Sequence, residues 1–471
     1  MAFNPKPQVW IAGEYVPTSA AGDPTHIGLE GLKIEWGSHE RFVDIIPATL
    51  TFTILDPTGE WIADKVLSGT DIKVAYTWWD GSKWDNRYMF RGMITAANIT
   101  PRKLEKEANE DHGYYVDIVA TDRIGQLGNT YVSFDASATN ERRTLRYRAD
   151  KINEAAGNTF AGIVTANEPV YGMIPEVYTN SAALTVLDDL YRGAQYARPE
   201  YDPHTNRIER GRWETFTYWN FAAFCKDEDS GKYMLGMPRH PNVLDDSKRG
   251  INLIYTLPAE DVESDGVLTQ DVDSSITNIS VKYYKSTQGA EKEFYSRIAV
   301  NIPNYKGIGN RTWNFETKFY DYDAAPLLAL EAEAKYNLWR WRLEDVKWTT
   351  KRTGGFKTTT HMHMWLQPRS NDMRIFLNGS AHGHLKDYVP IYSLMGNTIT
   401  YRDDAWHFEP KLAPYGYDTA YLEPITFTRW GSGTTNNPQF SELHESIRLS
   451  DMQYTEDTIR EPLIEFGNAP V

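Results

Sequence analysis

The chain has 471 residues, a formal net charge of -15 and a charged fraction of 24%. That charge excludes a protein that wraps nucleic acid, because such a binder needs clustered Lys and Arg to displace counterions; a passage through which DNA slides stays compatible with it. Cys225 is the single cysteine, which excludes an intrachain disulfide and a thiolate metal cluster.

Aromatic residues are abundant, with 15 Trp, 29 Tyr and 18 Phe, and they suit strands and interfaces. The opening "MAFNPKPQVW" has no basic-then-apolar signal, and no apolar run is long enough to span a bilayer. The expectation is a chain made and folded in a cytoplasm.

From Val9 to about Asp122 the sequence reads as strands. "VWIAGEYV" and "GLKIEW" come first, then "PATLTFTILDPTG". In that stretch Leu50, Phe52 and Ile54 alternate with Thr49, Thr51 and Thr53, giving one apolar face and one hydroxyl face. "GEWIADKVL" is expected to form a helical turn at a rim. "TDIKVAYTWW" and "RYMFRGMITAANI" flank "DGSKWDN" as a hairpin, and "GYYVDIVATD" closes the set.

Beyond it the pattern mixes helix and strand. "TNERRTLRYRADKINEAAG" spaces Leu145, Ala149, Ile152 and Ala156 for a helix, with Thr139 or Asn140 as its start cap and Gly157 at its end. "SAALTVLDDLYRGA" is a second helix, and "ARPEYDPHTNRIERGRW" reads as strand, turn, strand. "INLIYTL" and "TNISVKYY" are strands separated by the acidic loop "PAEDVESDGVLTQDVDSS". A third helix is expected at Ala324 to Trp341. Strands return from "EDVKWTTKR" to "DAWHFEPKLA", and the last segment is loop-rich.

The expected fold is mixed and mainly β, with two barrel-like β domains flanking an α+β region. The expected divisions are 1–129 (N-terminal β), 130–240 (α+β insertion), 241–339 (strands and long helix), 340–430 (C-terminal β) and 431–471 (extension).

Chemistry is sparse in this pattern. In extended chain His361 and His363 share a face, as do His382 and His384, and four imidazoles on neighbouring strands would suit Zn, Ni or Fe. No Asp or Glu stands beside either pair to orient the rings, so the plainer reading is histidines bonded to backbone, water or carboxylate. Asp188 with Asp189, Asp245 with Asp246 and Asp403 with Asp404 are adjacent in sequence, which does not set two carboxylates across a cleft. "RDDAW" reads instead as a hairpin turn. No nucleophile elbow, P-loop or zinc-protease motif occurs. Cys225 reads as a core thiol, and "GIGN" at Gly307 to Asn310 as a tight turn. Trp78, Trp79 and Trp84 could stack on sugar rings, but the favoured expectation is a buried cluster at a barrel end.

Five segments, taken in order, resemble the tail-tip (baseplate) hub proteins of tailed bacteriophages, with the long non-contractile tails of actinobacteriophages closest. "PATLTFTILDPTG", "LSGTDIKVAY", "YMFRGMITAANI" and "VDIVATDRIGQLGN" are similar to the opening strands of such hubs. "RRTLRYRADKINEAAG" and "SAALTVLDDLYRGAQ" resemble their inserted helices, and "DVDSSITNISVKYY" the strand that re-enters the sheet. The helix at Ala324 to Trp341 and the hairpin "MGNTITYRDDAWHFEPKLAP" complete the order. Many members of the family it resembles carry a His near the position of Asn397; this chain does not, so a role for that residue does not transfer.

The resemblance covers residues 9 to 430, and it implies a structural virion protein without enzymatic activity or cofactor. It implies a homotrimeric ring at the distal end of the tail, with two barrel-like domains per chain matching a sixfold tube. The implied partners are the distal tail or tube protein, the tape-measure protein and the tip fibre or spike proteins. DNA would pass through without specific binding during genome ejection. A closed ring uses two unlike patches on each chain, and Thr49, Thr51 and Thr53 are the expected interface candidates. The alternative is a carbohydrate-binding or receptor-binding tail fibre protein, motivated by the Trp and Tyr content. A wall-degrading glycosidase grafted onto a hub finds no segment to hold its catalytic domain.

Overall fold

The computed structural model describes residues 4–16, 29–37, 46–79, 81–101, 113–139, 144–158, 160–163, 173–191, 195–202, 207–215, 222–227, 232–236, 254–257, 262–269, 278–287, 290–301, 312–320, 342–356, 362, 365, 366, 374–377, 390–417, 425–434 and 442–447. The first block holds β1 (Pro7–Ile11), β2 (Glu14–Val16), β3 (Leu29–Gly37), β4 (Thr49–Asp56), α1 (Glu60–Asp64), β5 (Asp71–Trp79), β6 (Trp84–Pro101) and β7 (Tyr114–Asp122). Next come α2 (Arg123–Gly128), β8 (Tyr131–Asp135), α3 (Leu145–Ala155), β9 (Phe160–Ile163), β10 (Val177–Ala182) and α4 (Ala183–Tyr191). Strands follow: β11 (Gln195–Asp202), β12 (Arg207–Thr215), β13 (Ala222–Asp227), β14 (Lys232–Gly236), β15 (Ile254–Leu257), β16 (Val262–Thr269), β17 (Asn278–Thr287), β18 (Ala290–Asn301) and β19 (Thr312–Tyr320). The last are β20 (Arg342–Thr349), α5 (Thr350–Thr353), β21 (Arg374–Leu377), β22 (Pro390–Arg402), β23 (Ala405–Tyr417), β24 (Ile425–Thr434) and β25 (Glu442–Ile447).

The strand alternation of the first block has the consequence it predicts. Leu50, Phe52 and Ile54 of β4 are buried while the threonines between them are half-exposed. Each such apolar side chain contributes about 1.5–3 kcal/mol when fully buried. β4 pairs with β3 on one side and β7 on the other, and β5 and β6 form the expected hairpin. The hairpin β22–β23 then joins the outer side of β3, matching Ile399 to Ile34. The resulting order is β23-β22-β3-β4-β7-β6-β5-β1, extended by β20 and β16 at one end and by β2 at the other. Strands from both ends of the chain therefore lie in one sheet. They cover one core, in which Val9, Phe52 and Ile118 share a cluster with Trp348, Trp406 and Phe408.

This sheet curls but is not closed. Among the described residues no ladder joins β1 to β23; their ends meet through side chains instead. Trp406 donates its indole N–H to the Pro5 carbonyl at 2.7 Å, and Asn4 donates to the Asp404 carbonyl at 2.7 Å. Thr350 bonds Asn4 at 3.2 Å, and Lys6 pairs with Asp404 at 3.3 Å. The two expected barrels are thus corrected to strand blocks that complete one open, curled sheet. The physical reason is the register: β3 offers a free edge that only β22 fills.

The middle region is mixed, as expected. In α3, Leu145, Ala149 and Ile152 are buried, as is Ala156 at its C-cap, and Gly157 follows with φ 71°, the left-handed turn that ends a helix. Its start cap is Thr144, not Thr139 or Asn140. Thr144 is extended, and its hydroxyl accepts from the Tyr147 N–H at 3.2 Å. The helix begins where its apolar stripe begins, at Leu145. Thr144→Ala is expected to cost about 1 kcal/mol of stability, read from a shifted denaturation midpoint.

Glu176 ties this region to the five-stranded sheet β19-β17-β18-β24-β25. Its carboxylate accepts from Tyr178 at 2.7 Å and from Lys318 of β19 at 2.8 Å through both oxygens. The buried Arg148 of α3 lies 3.4 Å from the same carboxylate and bonds the Tyr178 hydroxyl at 2.9 Å. Burial pushes the Tyr178 phenol well above its ordinary range, so it stays a neutral donor.

Two further expectations need correction. The acidic loop contains β16, which pairs with β20 from Val262↔Trp348 to Thr269↔Arg342. Its sequence lacks apolar alternation, and its order comes from main-chain bonds to a distant partner. The loop-rich end likewise holds β24 and β25, with β24 paired to β18. The helix expected at 324–341 lies outside the described residues. Among the described residues no helix is long and apolar enough to cross a membrane.

Candidate assembly surface

The outward side of the curled sheet carries two different chemistries. Around β4 it is hydroxyl and charge. Thr49, Thr51 and Thr53 stand opposite Thr121, Val119 and Asp117 of β7, and Thr51 and Thr49 also face Lys33 and Glu35 of β3. Thr53 donates to Asp117 at 2.6 Å. Lys411 donates to Glu35 at 2.9 Å and to the Gly37 carbonyl at 3.1 Å, while Lys33 approaches Glu35 at 3.5 Å. Most of these groups are thus partnered within the sheet, and the exposed Asp117 and Tyr115 lie at the end of the threonine row.

Lys411, through its hydrogen bond and charge, holds the Glu35 carboxyl below the usual carboxylate range, and Lys33 adds to this. A depressed folded value makes a contribution that is present above the unfolded value and lost as pH falls through the folded one. Acid should therefore weaken the β3–β23 tie. Glu35→Gln is expected to flatten that part of the Tm-against-pH curve, most visibly below the ordinary glutamate range.

Across β2, β1, β5 and the first half of β6 the outward side is aromatic. Trp79 and Trp84 are cross-strand partners with ring centroids 5.5 Å apart, and they are 45% and 69% exposed. Thr77 and Asn86 form the next row on that face, bonded at 2.7 Å. Then come Gln8, Ala75 and Tyr88, followed by Tyr15, Trp10, Lys73 and Arg91. Trp10 packs on Tyr15 at 5.6 Å and Tyr88 at 6.4 Å, and the Arg91 guanidinium lies 3.7 Å from the Tyr88 ring centre. The buried cluster expected of Trp78, Trp79 and Trp84 is corrected here. Only Trp78 packs on the core, because alternation on a hairpin sends its two neighbours outward. Trp10, Tyr15, Tyr88 and Arg91 were not singled out from the sequence. Their signal is a shared strand parity, which is visible only once the register is known.

The other candidates separate. His361, His363, His382 and His384 lie outside the described residues, as do Asp245, Asp246 and the turn at 307–310. Among the described residues no group of three or more His, Cys, Asp or Glu is placed to hold a metal. Asp188 is buried in α4, whereas Asp189 reaches Lys318 at 3.5 Å. Asp403 and Asp404, with φ of 52° and 56°, form the expected turn between β22 and β23. Cys225 lies in β13. The largest fully buried side chains include Trp348, Trp365, Trp406 and Phe408, so much of the aromatic content serves the core.

No family model and no curated relative matches the chain. Among solved structures it is similar to the tail protein from Neisseria meningitidis, at 15% identity over 88% of this chain and 97% of that one, with a TM-score of 0.48. It is also similar to a prophage tail protein from Listeria monocytogenes, at 10% identity, 86% and 93% coverage, and a TM-score of 0.39. A third is an E. coli component of the type VI secretion system, at 11% identity, 83% and 75% coverage, and a TM-score of 0.37. At these values the likeness assigns no role to any residue of this chain.

Proposed function

We propose that the chain is a structural, non-enzymatic virion protein: the hub at the distal end of a phage tail. In this reading three copies close a ring that joins the tail tube to tip fibres or a spike and leaves a channel for the genome. One observation carries it. The four N-terminal segments that resemble hub proteins are β4, β5, β6 and β7, and the final hairpin is β22–β23; with β3 they stand side by side in one sheet. Segments scattered along the chain thus become neighbours in one sheet, which supports reading them as one unit.

The acidic balance of the chain suits a conduit that DNA crosses without sticking. Tube protein above, tape-measure protein within and fibre or spike proteins below are the partners this reading supplies. Negative-stain images of the purified protein, with native mass on the same sample, test it. A threefold ring around a hole is expected. A monomer that binds wall saccharides through Trp79 and Trp84 would replace this reading with the receptor-binding alternative.

A further inference from the structure

The segment from Ile174 to Tyr178 is held on two sides at once. On the inner side it belongs to the mixed region. Arg148 of α3 donates to the Ile174 carbonyl, Ala136 donates its N–H to the Glu176 carbonyl at 2.8 Å, and Tyr178 pairs with Phe134 of β8. On the outer side the segment meets β19 of the five-stranded sheet. Ile174 donates its N–H to the Lys318 carbonyl at 2.9 Å. The Lys318 ammonium reaches both oxygens of Glu176 at 2.8 Å and lies 3.5 Å from Asp189 of α4.

The two sides differ in what their loss leaves behind. Within the inner trio the Arg148 guanidinium donates to the Tyr178 phenol at 2.9 Å, and the phenol donates to Glu176 at 2.7 Å. The guanidinium itself lies 3.4 Å from that carboxylate, and its side chain is fully buried. One cation and one anion balance inside the trio. Removing Arg148 strands charge in the interior, which is strongly destabilising. Lys318 leaves no such deficit. Without it Glu176 keeps a cation and a phenol, and Asp189 is already 39% exposed. The ammonium, on its flexible four-carbon stem, passes to water.

We infer that this joint is a release point: β19 parts from the Ile174–Tyr178 segment at Lys318, while Arg148, Tyr178 and Glu176 stay together with α3 and β10. At this segment the opening gives up one main-chain bond and the contacts of a single lysine, all of which water replaces. It therefore belongs among the low-energy local openings of a folded chain, below those that separate the segment from α3 and β8. The inference is independent of the assembly reading, because it uses none of the surfaces named there.

Two amides on the same segment separate the two sides: Ile174 N–H, bonded to β19, and Ala136 N–H, bonded to the Glu176 carbonyl. Hydrogen–deuterium exchange of the full chain, resolved to single residues and corrected for intrinsic rates, reads both. In the wild type Ile174 should exchange well before Ala136. Lys318→Met should make Ile174 exchange about tenfold faster, the scale of one charge-assisted hydrogen bond, and leave Ala136 unchanged. Lys318→Arg should restore most of the protection. Equal protection of the two amides in the wild type overturns the inference, since the segment then leaves both sides only together; this comparison stands even if Lys318→Met fails to fold. Acceleration of both amides in Lys318→Met, or of neither, overturns it as well.

Discussion

Gly92→Ala is expected to lose at least about 3 kcal/mol, the upper end of overpacking penalties, and with it much of the stability of a typical domain. Gly92 lies in β6, between β5 and β7, opposite Ile72 and Asp122. A Cβ built there would fall 1.9 Å from the Thr121 carbonyl oxygen and 2.9 Å from the Asp122 Cα. Both obstacles are backbone, so no rotamer change relieves the clash; the strands must part. This gives a physical meaning to the glycine in "YMFRGMITAANI": the site admits no side chain. Urea denaturation measures the effect. Gly128→Ala is the control, since its Cβ would meet only Leu184 Cδ2 at 4.0 Å, and it should stay within about 0.5 kcal/mol of wild type. A Gly92→Ala chain as stable as the parent would show that β6 and β7 do not pair in this register.

Trp348→Ala should cost about 3–5 kcal/mol. Trp348 of β20 is 1% exposed, stacks on Phe408 with centroids 4.3 Å apart, and meets Trp365 edge-on at 4.7 Å and Phe356 at 5.9 Å. These rings belong to the same core as Val9 and Phe52. Their loss should therefore lower the midpoint seen by a probe in the first strands as much as by one near β23. Trp348→Phe should recover most of the cost. Two separated transitions would show that the strand blocks fold as independent cores.

The parts of this architecture visible in the sequence are those with a local cause. Leu50, Phe52 and Ile54 announce β4 because one of its faces is buried. Asp403 and Asp404 announce a hairpin because Asp tolerates left-handed backbone. Thr144 is not distinguishable as the cap from sequence because several hydroxyl and amide residues precede the helix, and only the first buried turn decides among them. β16 gave no sign because its bonds come from β20. The union of the two blocks was hidden for the same reason: nothing in "GLKIEW" declares that its edge awaits Ile399. Of the surface, the threonine row was legible as alternation. The aromatic strip was not, because four strands share it and the averaged tendency of Trp to be buried fails on an outward hairpin face.

The meeting of Asn4 with Asp404 spans 400 positions of chain. At 5–20 residues per second a ribosome needs roughly 20–80 s to bridge that gap. For most of that interval β3 has been made and its closing partner β22 has not, so the nascent sheet carries a bare edge. Lys33 and Glu35 on that edge, partly exposed even in the finished fold, are the kind of charges that discourage strand capture. The closing hairpin then draws them into use by bringing Lys411 to Glu35.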